Sequence, residues 1–222
     1  MFEGLLTGID DPAQREEWAT YLRYHRRRYA TLMRIVGELR PSRVLDVGAM
    51  FQTGLLRATG ATVDTLGFAN PHFPPGEGER HVELDLNDPR RDGDGSYDAV
   101  VLAEVIEHLY TSPAEVLRHL GTWLRPGGAL ILQTPNAVAL HKRLRMAAGR
   151  NPLEPIRSDR TNPGHFHEYT VGELADAAAA AGLEVADVRL ENYFGASRAY
   201  AALGRVLPRG LRHGITMVLR RP

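Results

Sequence analysis

The stretch Val44-Leu45-Asp46-Val47-Gly48-Ala49-Met50-Phe51 decides which fold this sequence predicts. Its apolar residues indicate a short buried strand, and Gly48 indicates a tight turn directly after that strand. Small ligands bind at the carboxyl edge of a parallel sheet, where such strands end. Burying the Asp46 carboxylate costs free energy unless a partner group compensates for it. We therefore expect Asp46 to hold a group of a bound ligand.

The composition indicates a single α/β domain and excludes several classes of protein. The chain has 222 residues, a formal net charge of zero and no cysteine. Zero net charge argues against duplex binding by phosphate neutralisation, so we expect no nucleic-acid partner. The lack of cysteine excludes disulfides, thiolate metal sites and a cysteine nucleophile. Since no apolar run is long enough to span a bilayer and no signal-peptide core is present, we expect a cytoplasmic location.

Predicted strands and helices alternate along the chain, which indicates a parallel sheet with helices on both faces. The expected strands are residues 43–47, 62–66, 81–84, 97–103, 129–133, 183–190 and 215–219. Asp11 before Pro12 predicts the start of a long helix that stops before Pro41. A short helix is expected over residues 53–58.

Two capping boxes predict where later helices begin. Ser112 with Glu115 opens a helix that runs to Leu124, and Thr170 with Glu173 opens a helix that closes at Gly182. In each box the first side chain caps a backbone N–H, and the acid three residues later caps the N–H of the first.

Four segments resemble the class I S-adenosylmethionine-dependent methyltransferases, in the order and spacing of that family. They are residues 44–48, 84–86, 97–109 and 124–132, and the shorter segments 134–136 and 166–170 resemble its small-molecule branch. The resemblance implies an α/β fold with a doubly wound, mostly parallel seven-stranded sheet, helices on both faces and an antiparallel last strand. It also implies S-adenosyl-L-methionine as the cofactor.

The resemblance implies a single methyltransferase domain in four parts. Residues 1–40 would form a helical lid and residues 41–135 the cofactor-binding half. Residues 136–169 would form a substrate or lid insertion, because a loop of that length is usually functional. Residues 170–222 would supply the last helix and strands. The arginines between Lys142 and Arg160 either meet an anionic substrate group or form a solvated surface.

The resemblance also assigns residues to the cofactor. They are Asp46, Gly48, Ala49, Phe68, Asp85, Leu86, Ala103 and Glu104. Asp46 would accept from the ammonium at the methionine end, and Asp85 from the adenine amino group. Gly48 would let the backbone approach closely. The alternative interpretation is that neither residue binds a ligand. Asp46 would then be a strand-end acid whose hydrogen bonds the protein satisfies, and Asp85 would be an ordinary turn residue.

Two positions depart from the family pattern. Met50-Phe51-Gln52 stands where further glycines are usual, and Gly67 stands where an acid usually holds the ribose hydroxyls. Asn70 is close enough in sequence to reach back toward that place. These departures keep open an alternative, which is a non-catalytic or weakly cofactor-binding module of the same fold.

Two histidines are candidates for the catalytic base. Methyl transfer to a hydroxyl requires removal of its proton, and histidine suits that role near neutral pH. His108, just past the fourth strand, is the preferred base, and His167 is the alternative. The other interpretation makes His108 a capping or core residue and leaves His167 as an exposed loop residue.

Metal-binding residue types are present, but no compact ligand motif is. Glu104, Glu107, His108, His165 and His167 are side chains that bind divalent ions. Since no His-Glu-x-x-His spacing occurs, we expect no required metal.

These observations favour an O-methyltransferase that acts on a hydroxyl of a sugar or natural-product intermediate. Neither Asn-Pro-Pro-Tyr nor Asp-Pro-Pro-Tyr follows the fourth strand, and no cysteine nucleophile exists, which disfavours methylation of DNA bases. A nicotinamide-dependent dehydrogenase is disfavoured because Gly-x-Gly-x-x-Gly is missing. The sequence leaves open a monomer or a homodimer.

Overall fold

The stretches expected to be strands pair into one seven-stranded sheet. The computed structural model describes residues 3–6, 11–88, 92–158, 163–193 and 207–222. The strands are β1 Arg43–Val47, β2 Thr62–Gly67, β3 His81–Glu83, β4 Tyr97–Ala103, β5 Leu124–Pro135, β6 Glu184–Glu191 and β7 Gly214–Arg220. Their order is β3-β2-β1-β4-β5-β7-β6. Among these strands β7 runs in the opposite direction to the other six, which confirms the predicted fold class.

The sheet order places the topological switch point between β1 and β4. β1 pairs with β2 on one side and with β4 on the other, both in parallel register. Val47, the last residue of β1, lies opposite Leu66 of β2 and Leu102 of β4. Chain order reverses direction between β1 and β4, and open α/β sheets bind ligands at such a switch point.

The helices are α1 Pro12–Leu39, α2 Phe51–Arg57, α3 Pro113–Trp123, α4 Leu140–Ala147 and α5 Val171–Ala180. Short 3₁₀ turns cover Glu3–Leu6, Ile106–His108 and Arg209–Leu211. The predicted start of α1 is confirmed, because the Asp11 carboxylate accepts from the Ala13 N–H at 3.0 Å. No helix in the described parts of the chain combines the length and the apolarity that a membrane crossing needs.

One of the two predicted capping boxes is confirmed and the other is wrong. Thr170 Oγ1 accepts from the Glu173 N–H at 3.3 Å, and Glu173 Oε2 accepts from the Thr170 N–H at 2.7 Å. Ser112 makes no side-chain cap, although α3 does begin after it. The Glu115 N–H donates to the Ser112 carbonyl at 3.0 Å, and the Glu115 carboxylate accepts from the Thr111 hydroxyl at 3.2 Å.

Several element boundaries differ from the prediction by one residue, and three elements differ by more. α2 begins at Phe51, two residues earlier than expected, and β5 extends back to Leu124. The insertion contains α4, which the sequence did not reveal because Ala139 supplies no side-chain cap at its start. Residues 159–162, which include Arg160 of the arginine-rich stretch, lie outside the described residues.

Alternate residues of the strands belong to two hydrophobic cores, one on each face of the sheet. Leu45 and Val47 belong to the larger core, which α3 and α5 cover. Val44 belongs to the other core, beneath α1 and α2. Because side chains alternate along a strand, Asp46 faces the α1 and α2 side together with Val44.

Candidate active site

The turn after β1 requires glycine. Gly48 has a φ of +76°, and its N–H donates to the Leu66 carbonyl at 2.9 Å. A Cβ at this position would lie 2.9 Å from Val105 Cγ2, which is closer than real Cβ atoms approach. The turn therefore brings the backbone after β1 against the side chain of Val105, which follows β4.

The bulky turn residues pack against α1. Phe51 is buried, and its ring centroid lies 5.1 Å from those of Trp18 and Phe73 and 5.8 Å from that of Tyr21. Met50 packs on the same cluster. Packing in this aromatic cluster accommodates the side chains that replace the usual glycines.

Asp46 is fully buried and has donors from the protein itself. Thr53 Oγ1 donates to one carboxylate oxygen at 2.6 Å, and Gln52 Nε2 approaches the other at 3.4 Å. Burial raises the pKa of Asp46 to about 7, although the bonds from Thr53 and Gln52 act to lower it. The geometry agrees with the interpretation of Asp46 as a satisfied strand-end acid that anchors α2, and its contact with a ligand stays a prediction.

The end of β2 has no acid at the position expected to hold ribose. Gly67 has a φ of +126°, and a Cβ there would point at the Gly48 N, 3.6 Å away. Asn70 does reach back, where its Nδ2 donates to the Ala49 carbonyl at 3.2 Å. Phe68 is 64% exposed beside this edge.

Sequence reasoning missed Glu83, which lies opposite Gly67 in the parallel register. Glu83 Oε2 accepts from the Ala69 N–H at 3.0 Å and lies 3.1 Å from His81 Nε2. The pairing of β2 with β3 is what brings this carboxylate to the edge, and that pairing has no signature in the local sequence.

The residues assigned to the adenine lie on one turn. Asp85 Oδ1 accepts from the Asn87 N–H at 2.9 Å, as in an ordinary Asx turn. Leu86 is buried in the larger core. The Asn87 side chain in turn accepts from the Tyr110 N–H at 2.8 Å, which ties this turn to the segment after β4.

The end of β4 carries strained backbone and an unpaired buried oxygen. Ala103 is buried, and Glu104 adopts the left-handed conformation with a φ of +57°. The Glu104 N–H donates to the Gln133 carbonyl at 2.8 Å. Its Oε1 is buried and has no hydrogen-bond partner within the described residues.

The half-buried Glu104 and the buried Glu107 interact electrostatically with a buried arginine of α1. Arg28 is 2% exposed, and its guanidinium lies 4.6 Å from the centroid of the Tyr29 ring. Burial acts to lower the pKa of Arg28, but the charges of Glu104 and Tyr29 raise it above the ordinary value. Burial, and then the neighbouring Glu104, raise the pKa of Glu107 well above the ordinary value.

The sequence carries a signal for the burial of Arg28. The signal is that Tyr29 and Leu32 belong to the buried stripe of α1, which puts Arg28 at the edge of that stripe.

His108 is held by the loop that precedes α5. Its Nδ1 lies 2.8 Å from the Gly164 carbonyl, so that Nδ1 must be the donor and Nε2 carries the free lone pair. Gly164 has a φ of +82°, and a Cβ there would clash with the Pro155 carbonyl at 2.4 Å. Burial lowers the pKa of His108, although the bond to Gly164 opposes that effect.

His165 lies beside His108, with ring centroids 4.8 Å apart. Its Nδ1 contacts Glu168 Oε1 at 2.9 Å, and the buried Lys142 ammonium pairs with the other oxygen of Glu168. His165 Nε2 lies 3.2 Å from Glu154 Oε2. The insertion thus joins the segment after β4 through a network of charged and imidazole groups.

His167 lies apart from the pair formed by His108 and His165. Its Nε2 lies 3.4 Å from Glu173, and its side chain is 55% exposed. It lines a surface cleft of about 480 Å³ together with Tyr110, Phe166 and Tyr169. The two candidate bases therefore occupy different places, and of the two only His108 adjoins the buried Glu107.

The sequence profile of the family described as "Methyltransferase domain" matches residues 21–188. A curated relative from Mycolicibacterium smegmatis (strain ATCC 700084 / mc(2)155), described as a probable S-adenosylmethionine-dependent methyltransferase, is 34% identical over 94 residues. That region is 42% of this chain and 31% of the relative. The similarity with this curated relative thus extends over about a third of the relative's length.

Two solved structures share the fold. One is a 1,6-didemethyltoxoflavin-N1-methyltransferase from Burkholderia thailandensis, solved with bound 1,6-didemethyltoxoflavin and S-adenosylhomocysteine. It superposes with a TM-score of 0.57 at 20% sequence identity, and the match covers 93% of this chain and 89% of that chain. A SAM-dependent methyltransferase from Archaeoglobus fulgidus superposes with a TM-score of 0.62 at 14% identity, covering 92% and 99%.

Proposed function

The chain belongs to the methyltransferase domain family, as a class I S-adenosylmethionine-dependent methyltransferase, and from this membership we propose that it methylates a hydroxyl group of a small-molecule acceptor. S-adenosyl-L-methionine is the cofactor. When bound, it supplies a methyl group already activated on a sulfonium. The protein then has to position the acceptor, exclude water and remove one proton.

The edge formed by the ends of β1, β2 and β4 fits this cofactor. Positive φ at Gly48 and Gly67 leaves the backbone open to close approach, since a Cβ at Gly67 would point over the Gly48 turn. The buried, unpaired Glu104 Oε1 suits the ammonium of the methionine end, because an ionised carboxylate and an ammonium form a strong hydrogen bond. The residues proposed to hold the cofactor are Asp46, Gly48, Ala49, Phe68, Asp85, Leu86, Ala103 and Glu104.

We assign the ribose contact to Glu83, because Gly67 offers no side chain. Parallel pairing puts Glu83 opposite Gly67, and its carboxylate already accepts from the Ala69 N–H beside Phe68. A carboxylate can accept from both hydroxyls of a diol.

The observation that carries the hydroxyl proposal is the orientation of His108. The Gly164 carbonyl occupies Nδ1 and leaves Nε2 as a proton acceptor near the end of β4. A base is needed for a hydroxyl acceptor, which is a weak nucleophile until it loses its proton, and is dispensable for a neutral amine, which is nucleophilic without deprotonation. The similar protein from Burkholderia thailandensis is an N1-methyltransferase, so acceptors with a nitrogen nucleophile have to be compared with hydroxyl acceptors.

The test is a mass-spectrometric screen with S-adenosyl-L-methionine and paired hydroxy and amino forms of sugars and aromatic natural products. We expect methyl gain on a hydroxy member, and at least a hundredfold loss of turnover in His108→Ala with cofactor binding retained. The matched variant is His167→Ala, the alternative base. Methyl gain only on amino members, or full turnover in His108→Ala, contradicts the proposal.

A second candidate is a module that keeps the fold but binds the cofactor weakly. The observation in its favour is Gly67, which leaves the end of β2 without an acid, while the Asp46 carboxylate is occupied by Thr53 and Gln52. The two candidates differ in cofactor affinity, which can be measured without knowing the acceptor.

A further inference from the structure

Three side chains from distant parts of the chain converge beside the end of β4. One carboxylate oxygen of Glu107 and one ring nitrogen each of His108 and His165 lie within 4.8 Å of one another. Glu107 and His108 follow β4, whereas His165 lies on the loop before α5. Atoms at these separations can bind one ion after small side-chain adjustments, since metal–ligand bonds are about 2.0–2.2 Å long.

Both imidazoles have an acceptor at Nδ1. The Gly164 carbonyl lies 2.8 Å from Nδ1 of His108, and Glu168 Oε1 lies 2.9 Å from Nδ1 of His165. Lys142 holds Glu168 in place. Metal-binding histidines typically donate one ring N–H to a carbonyl or carboxylate and coordinate with the other nitrogen. Nε2 of His165 contacts Glu154 Oε2 at 3.2 Å, and an ion bound to that nitrogen would replace this contact.

Glu107 contributes a buried oxygen that has no partner. Thr134 Oγ1 donates to its Oε2 at 3.0 Å, whereas Oε1 has no hydrogen-bond partner within the described residues. Glu104 Oε1 is also buried without a hydrogen-bond partner among the described residues. An unsatisfied buried polar atom is costly, and a buried carboxylate more so, unless a cation neutralises it.

Although the sequence led us to expect no required metal, we propose that Glu107, His108 and His165 bind a divalent first-row transition metal ion through one carboxylate oxygen and two Nε2 atoms. Two imidazoles and one carboxylate suit Zn²⁺, Co²⁺, Mn²⁺ or Fe²⁺ better than Mg²⁺ or Ca²⁺, which prefer oxygen ligands. Three protein ligands leave coordination positions open, as in catalytic sites.

The site deepens the proposed function, on which its catalytic role rests. An acceptor hydroxyl bound to the ion becomes more acidic and releases its proton to solvent. His108 then acts as a ligand, and the ion takes over the activation otherwise assigned to a base. The open positions favour an acceptor with two neighbouring oxygens, such as a diol or a hydroxyl beside a carbonyl.

Binding is tested with Co²⁺ alone, without cofactor or acceptor. Chelator-treated protein is titrated with Co²⁺ and the visible absorption bands are recorded, followed by displacement with Zn²⁺. We expect one equivalent to bind, and the affinity to fall at least tenfold in His165→Ala and in Glu107→Gln. His167→Ala is the matched control, because this histidine lies two residues away on the same loop but outside the cluster.

Binding that is absent at millimolar Co²⁺, or equally strong in His165→Ala and the wild type, overturns the site. Circular dichroism identifies a variant that fails to fold, and Glu107→Gln then decides, because it keeps the shape of the side chain. If Co²⁺ binds as expected but no acceptor is methylated, the proposed function fails while the metal site stands. Unchanged turnover in metal-free protein overturns the catalytic role of the ion.

Discussion

Glu104 combines two features that are costly in a folded protein. Its backbone is left-handed, at a φ of +57°, and its Oε1 is buried without a partner in the described part of the chain. Left-handed strain at a residue other than glycine costs about 1–3 kcal/mol and concentrates at ligand sites. The opposing Arg28 charge offsets part of the burial cost. The unpaired carboxylate oxygens of Glu104 and Glu107 thus lie near the end of β4, whereas Asp46 on β1 is satisfied by its own neighbours.

The raised pKa of Asp46 makes stability depend on pH. An acid whose pKa rises from 3.8 to about 7 on folding contributes fully below pH 3.8, and this contribution is lost as the pH rises through about 7. Asn cannot ionise. We therefore expect the unfolding free energy of Asp46→Asn, measured relative to that of the wild type, to be higher at pH 8 than at pH 5. The difference is about 3 kcal/mol, since one pKa unit corresponds to about 1.4 kcal/mol. Urea unfolding at both pH values measures it.

Asp176→Asn is the matched control for this prediction. Asp176 is exposed on α5, so the same chemical change should give similar unfolding free energies relative to the wild type at both pH values. An equal effect of Asp46→Asn at pH 5 and pH 8 would show that the Asp46 carboxylate is not destabilised by burial.

At the scale of the elements, the two predicted capping boxes give opposite expectations. Thr170 caps α5 through its hydroxyl, whereas Ser112 makes no side-chain cap on α3. We expect Thr170→Ala to lower the free energy of unfolding by about 1 kcal/mol, the usual value of an N-cap. Ser112→Ala should change it by less than about 0.5 kcal/mol, as most surface substitutions do. Chemical denaturation of both variants measures the difference.

These two variants control for each other, because both remove a hydroxyl at the start of a helix that packs on the same face of the sheet. Equal losses for Thr170→Ala and Ser112→Ala would contradict the assignment of the caps.

The strands were predictable from sequence, and one insertion helix was not. β1 and β4 have the predicted bounds because buried parallel strands form continuous apolar runs between turn residues. Helix α4 was missed because it has only eight residues and because Ala139, which precedes it, supplies no side-chain cap. The Ser112 pattern misled because the Glu115 N–H donates to the Ser112 carbonyl and the Glu115 carboxylate accepts from Thr111, which the sequence pattern does not reveal.

At the scale of the whole molecule, the sheet topology brings the site together. β1 and β4 are adjacent although 49 residues separate Val47 from Tyr97, and their ends set Gly48 against Val105. The insertion then reaches the same edge, where the Gly164 carbonyl meets His108. The cofactor and acceptor halves of the proposed site therefore share the residues that follow β4.

Sequence identified the family and the edge, but not which groups are free at that edge. The motif segments are local, so Asp46, Asp85 and Glu104 could be named directly from the resemblance. The donors to Asp46, the pairing of Glu83 with Gly67 and the cluster of Glu107 with His165 depend on tertiary packing. Such contacts join residues up to 58 positions apart, for which no spacing rule exists.

The most direct test of the central claim is a calorimetric titration of the purified chain with S-adenosyl-L-methionine and with S-adenosylhomocysteine. A nicotinamide dinucleotide serves as the control ligand, because it also carries an adenosine. We predict saturable binding of one equivalent of either sulfur ligand, and none of the dinucleotide. No binding of either sulfur ligand at millimolar concentration would contradict the account.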